Sequence, residues 1–154
     1  MVDVLLAELR QGFGPPAQMA VFALRFCLAL VLGALIGLER HSAGKDAGLR
    51  THMLVAGGAA LFVAAVGAAQ MAIGDQSRVI QGVITGIGFL GAGAILKVDH
   101  ANTVHGLTTA AGIWLTAAIG VAAGLGEHAL AVVATVLGLG VLALLGLAEG
   151  RRPP

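Results

Sequence analysis

Charge is what this sequence has least of: Asp, Glu, Lys and Arg make up 11% of its 154 residues, and the formal net charge is +1. That balance leaves no basic surface for nucleic acid, so no nucleic-acid partner is expected. Cysteine is nearly absent too. The single Cys27 lies inside an apolar run, which excludes a disulfide framework. Serine is limited to Ser42 and Ser77, and neither has a base and an oxyanion hole beside it in sequence. His41, His52, His100 and His105 match no compact zinc spacing, and Mg²⁺ would want oxygen ligands in octahedral geometry. The string GIGFLG, with Gly86, Gly88 and Gly91, satisfies G-x-G-x-x-G only as letters, because it opens no strand-to-helix phosphate turn. The expectations are therefore no enzyme, no cofactor and no metal.

What is present is apolar. Hydrophobic residues reach 58% with 24 glycines, and the mean hydropathy is +0.94. Such a composition belongs to a lipid solvent. A spanning helix needs about 20 mostly apolar residues, and five stretches approach that length: 20–38, 53–73, 79–96, 107–125 and 129–147. The expected fold class is an all-α integral membrane protein, a compact, glycine-rich bundle of about five transmembrane helices occupying 20–148. Residues 1–19 form an interfacial segment, with a short helix ended by Gly12, Gly14, Pro15 and Pro16, and 149–154 form a short basic tail. Asp3 and Glu8 precede the first basic residue, so no cleaved signal peptide is expected. The third stretch holds five glycines within 82–93, which predicts a broken or re-entrant segment.

Orientation follows from Lys and Arg, which collect on the cytoplasmic side of spans. Arg40, Lys45, Arg50, Lys97, Arg151 and Arg152 fall on one side and Arg10 and Arg78 on the other. The N-terminus is expected outside and the C-terminus in the cytoplasm. Small residues four apart let helix backbones approach in lipid, and Gly33/Gly37, Gly82/Gly86 and Gly120/Gly124 have that spacing. Gly82, Gly86, Phe89 and Gly93 share one helical face, and so do Thr109, Gly112, Thr116 and Gly120. These two faces are expected to meet.

Arg25 is the one formal charge well inside a span. Either it snorkels to the outer interface, or it faces the bundle on a stripe with Leu32, Ile36, Glu39 and Arg40. The densest polar segment is GLERHSAGKDAGLRTH, with Glu39, Arg40, Asp46, Arg50 and Thr51. Glu39 stands at a helix C-terminus, against the helix dipole, and so needs a basic partner: Arg40, Arg50 or Lys97. These residues with Arg25 are read as an ion-pair or ligand cluster. The histidines are read as interfacial, and Trp114 as packing against lipid or another subunit.

The string GALIGLERHSAGKDAGLRTHMLVAGGAALF at 33–62 resembles the signature opening of the MgtC/SapB family, and RVIQGVITGIGFLGAGAIL (78–96) and HGLTTAAGIWLTAAIGVAAGLG (105–126) agree with it. Gly37, Glu39, Arg40, Gly48, Arg50 and Thr51 fall on the family's first loop. Arg78, Gly86, Gly88, Phe89, Gly91 and Gly93 fall on its third helix, and Gly106, Leu107, Thr108, Thr109, Trp114 and Gly120 on its fourth. The resemblance implies a bacterial inner-membrane protein tied to magnesium limitation and acid tolerance. It further implies regulation by inhibiting an F-type ATP synthase rather than magnesium transport. Many members continue into a soluble cytoplasmic domain; this chain resembles the short, SapB-like form. The expected function is a non-enzymatic regulatory or binding protein, homo-oligomeric or docked on a membrane partner, acting through intramembrane helix contacts. The alternative is a small-cation transporter or channel with a polar path near Arg25, Glu39 and Arg50.

Overall fold

The computed structural model describes residues 1–12, 14–98 and 103–145. Helix α1 (Val2–Gly12) leads into α2 (Pro16–Ser42), α3 (Leu49–Ala68) and α4 (Ile73–Gly93). A small hairpin, β1 (Leu96–Val98) and β2 (Thr103–His105), precedes α5 (Leu107–Leu125) and α6 (His128–Gly140), which is extended by a π-helical turn, Val141–Leu145. The all-α membrane-type architecture is clear from the described residues. By length and composition, α2, α3 and α5 are each able to cross a membrane, and His128–Leu144 forms a shorter apolar helix.

The boundaries follow from backbone chemistry. Pro16 opens α2, where a missing N–H costs nothing. Gln70, at φ 51°, ends the helix begun at Leu49, so the second apolar stretch stops short of 73. α5 closes with crossed hydrogen bonds, Gly126 N to Ala123 O at 3.0 Å and Glu127 N to Ala122 O at 2.9 Å, around Gly126 at φ 90°. This is a glycine C-terminal cap in which the left-handed residue turns the chain back onto the last carbonyls.

α2, α3 and α5 form the centre. Gly33 and Gly37 of α2 lie against the start of α3, where a Cβ would stand 2.6 Å from His52 O and 2.7 Å from Leu49 Cα. Gly120 and Gly124 of α5 abut the backbone of Ala56 and Ala60, with a Cβ on Gly124 reaching 2.7 Å from Ala60 O. The core between these helices is almost wholly aliphatic, with Ala29, Leu32, Ile36, Ala56, Ala60, Ile119 and Ala123 buried. α6 covers the α2/α5 seam, Gly138 admitting Leu115 and Ile36.

Three expectations are corrected. α4 runs unbroken through the five glycines of 82–93: each glycine lowers helix propensity by about 1 kcal/mol, but an unsatisfied amide in hydrocarbon costs several kcal/mol, so the ladder is kept. The third stretch ends at Gly93, and Leu96 lies in a hairpin paired Leu96↔His105 and Lys97↔Val104. The faces of α4 and α5 do not meet: Gly82, Gly86 and Gly93 have nothing within 4 Å of an added Cβ, and the small face of α5 is taken by α3. α4 is peripheral, with Ile87 its one buried side chain.

Candidate functional site

Two polar sites lie at opposite ends of the α2/α5 pair. At one end, Arg40 sits in the last turn of α2 with 3% exposure. Its guanidinium grips the neighbouring Glu39 carboxylate from two nitrogens, Nε donating to Oε2 and Nη2 to Oε1 at 2.6 Å. A two-point, charge-assisted contact of this kind cancels a carboxylate that would otherwise oppose the helix dipole. Arg40 is thus the partner of Glu39. Asp46, Arg50 and Thr51 are exposed and do not join the pair. Lys97 lies in β1, and its side chain is outside the described residues.

Beside this ion pair is a histidine buried to 0% exposure. His52 Nδ1 lies 2.8 Å from Thr116 Oγ1, and Thr116 donates its single hydroxyl proton to Gly112 O, also at 2.8 Å. Among the described residues Nε2 has no hydrogen-bond partner. Gly112 lies beside the group, and a Cβ there would make ordinary contact at 3.6 Å from His52 Cε1 and 4.0 Å from Arg40 Cδ. Thr109 is buried one turn earlier on α5.

His52 is therefore not interfacial, as its sequence context suggests. Its signal is the spacing His52, Ala56, Ala60, a small-residue stripe that continues the helix-packing face of α3. Thr116 was legible only as a packing residue, because its hydrogen bond to His52 spans 64 positions of chain.

At the other end, Arg25 does not snorkel away from the bundle. Its Nη1 donates to Gly124 O at 3.0 Å, so a cation caps the C-terminal end of α5 where the dipole is negative. Gly126 leaves space for the guanidinium, whose Nη2 a Cβ there would approach to 2.6 Å. Arg25 and Arg40 stand about 22 Å apart along α2, and the stripe between them is the buried, apolar Ala29, Leu32 and Ile36. Among the described residues, no cluster of three His, Cys, Asp or Glu side chains suits a metal ion. Trp114 is half exposed, and with Ala117 it closes a small apolar cleft under α4.

Comparison with known proteins matches residues 26–151 to the model of the MgtC family. The chain is 48% identical over 130 residues to the Escherichia coli K12 protein named "Putative magnesium transporter YhiD", a match covering 80% of this chain and 60% of that one. It is 44% identical over 134 residues to protein SrpB of Synechococcus elongatus, covering 80% and 74%. It is 42% identical over 116 residues to protein MgtC of Salmonella typhimurium 14028s, covering 75% and 48%. The chain thus spans about half to three-quarters of the length of these relatives, and no solved structure matches it. With three related sequences and a family match over most of its length, the chain belongs to the MgtC family, a family of membrane proteins.

Proposed function

We propose that this chain is a non-enzymatic protein of the bacterial inner membrane, linked to magnesium limitation or ion homeostasis, that regulates or binds through helix contacts within the bilayer. The observation that carries this reading is α4, a 21-residue helix that buries only Ile87. Gly82, Gly86 and Gly93 are bare on one of its faces, and Phe89, on that face, is 81% exposed. Exposed small residues are what a second helix needs for close approach in lipid. A second copy of the chain, or a membrane complex such as an F-type ATP synthase, is the proposed contact. Gly93→Leu and Phe89→Ala change this face without touching the core. Loss of self-association, or of co-purification with a membrane complex, is expected for both in otherwise normally inserted protein. Unchanged association in both would count against the reading.

The name of the Escherichia coli relative favours a second reading, transport of a small cation such as Mg²⁺. It requires a path linking Arg25 to Glu39 and Arg50, and the stripe between the two ends is apolar and buried. Purified chain in liposomes is expected to show no flux of Mg²⁺, K⁺ or protons above that of empty vesicles. Flux abolished by Arg25→Gln or Glu39→Gln would establish the second reading instead.

A further inference from the structure

α3 and α4 diverge, and between them runs an open groove of about 620 Å³. Leu54, Gly58 and Phe62 form one wall and Gly82, Gly86 and Leu90 the other. No polar side chain lines it, and the missing Cβ atoms of Gly58, Gly82 and Gly86 meet nothing within 4 Å, so the void is built from glycine. Leu54, Gly58 and Phe62 are four residues apart, and one more step back along the same stripe is Arg50. Arg50 is exposed, in the first turn of α3, and has no ion pair among the described residues. A cation in a helix's first turn opposes the dipole. Glu39 has the mirror-image problem at the end of α2, and there Arg40 resolves it; at Arg50 no anion among the described residues does the same.

We infer that this groove is a site for a glycerophospholipid with an anionic headgroup, one acyl chain lying between α3 and α4 and the phosphate resting on Arg50. From Leu54 to Phe62 the axis of α3 rises about 12 Å, close to the depth of one leaflet's hydrocarbon, about 15 Å. The wholly apolar lining and the length of the groove match one acyl chain. The charge also selects a lipid, because a purely apolar occupant leaves Arg50 uncompensated. Gly82 and Gly86 line the groove and also lie on the α4 face proposed for docking, but Arg50 and Gly58 belong to the groove side alone and Phe89 and Gly93 to the docking face alone, so variants at those positions tell the two apart.

The test is photocrosslinking of the full chain in phosphatidylcholine vesicles doped with phosphatidylglycerol carrying a photoactivatable acyl chain, with adducts mapped by mass spectrometry. Adducts are expected to concentrate in 54–62 and 79–90. Gly58→Leu fills the groove and should lower them several-fold for any headgroup. Arg50→Gln should leave acyl adducts from phosphatidylcholine intact while reducing the preference for phosphatidylglycerol about fivefold, the weight of one basic side chain at an anionic surface, ~1 kcal/mol. Arg50 is on the surface, so the second variant tests the site even if the first does not fold. Adducts spread evenly over all lipid-facing helices, or a headgroup preference unchanged by Arg50→Gln, would overturn the assignment. Crosslinks joining the groove to a second copy would overturn it as well, and would leave the docking role of α4 standing.

Discussion

Glycine has opposite roles on different helices of this chain. A Cβ on Gly120 would collide with the carbonyl of Ala56, whereas a Cβ on Gly82 would meet nothing. Gly120→Leu is expected to destabilise the bundle by about 2–3 kcal/mol, because the neighbour is backbone and cannot move aside. Gly82→Ala is expected to be neutral or to stabilise by up to about 1 kcal/mol through helix propensity alone. Unfolding by titration with a denaturing detergent separates the two. Thr116 makes a third case. Thr116→Val removes the hydrogen-bond partner of His52 Nδ1 and should cost about 1 kcal/mol, as interhelical hydrogen bonds in membranes do. Thr116→Ser keeps the hydroxyl and should restore the midpoint. The sequence displays Thr109, Gly112, Thr116 and Gly120 as one small-residue face, and that much is visible from spacing. It does not display that His52 meets this face, since a hydrogen bond across 64 residues leaves no local mark.

At the scale of elements, α4 and α5 are similar in length and both rich in small residues, yet α5 buries ten of its residues and α4 one. Local opening free energy follows buried contact. Amides of α4 are therefore expected to exchange with deuterium faster than those of α5 when the protein is held in lipid nanodiscs, and equal protection would contradict the peripheral placement. The C-terminal end of α5 has its own anchor in Arg25. Arg25→Ala should cost about 1 kcal/mol and should raise exchange selectively around Gly124–Gly126, an effect that Arg25→Lys largely avoids. The hairpin Leu96–His105 was the element least legible in advance. Its two strands are three residues each, too short for periodicity to show, and Leu96 reads as the tail of an apolar span.

For the whole molecule, contacts set the relative directions of the helices. Arg25 meets Gly124 while Arg40 meets Gly112, so α2 and α5 run antiparallel. Ala56 meets Gly120 and Ala60 meets Gly124, so α3 and α5 run parallel. Ser42 and Ser77, both exposed, then lie at opposite ends of the bundle. With Cys27 replaced by alanine, a single cysteine at Ser77 should react with an impermeant thiol reagent in intact cells. One at Ser42 should react only after permeabilisation. The reverse pattern would invert the orientation drawn from Lys and Arg.

Composition by itself determined that this chain belongs in lipid, and its continuous apolar runs near 20 residues determined that it is helical, because within one such run only a helix satisfies every backbone group. Three motifs by themselves determined its family. Tertiary structure alone decided which glycines are contacts and which are openings, which base pairs with Glu39, and where Arg25 turns. Helical phase says which residues share a face. Only packing says what that face meets, because in lipid the two sides of an apolar helix are chemically alike and differ only in the fit of the neighbour.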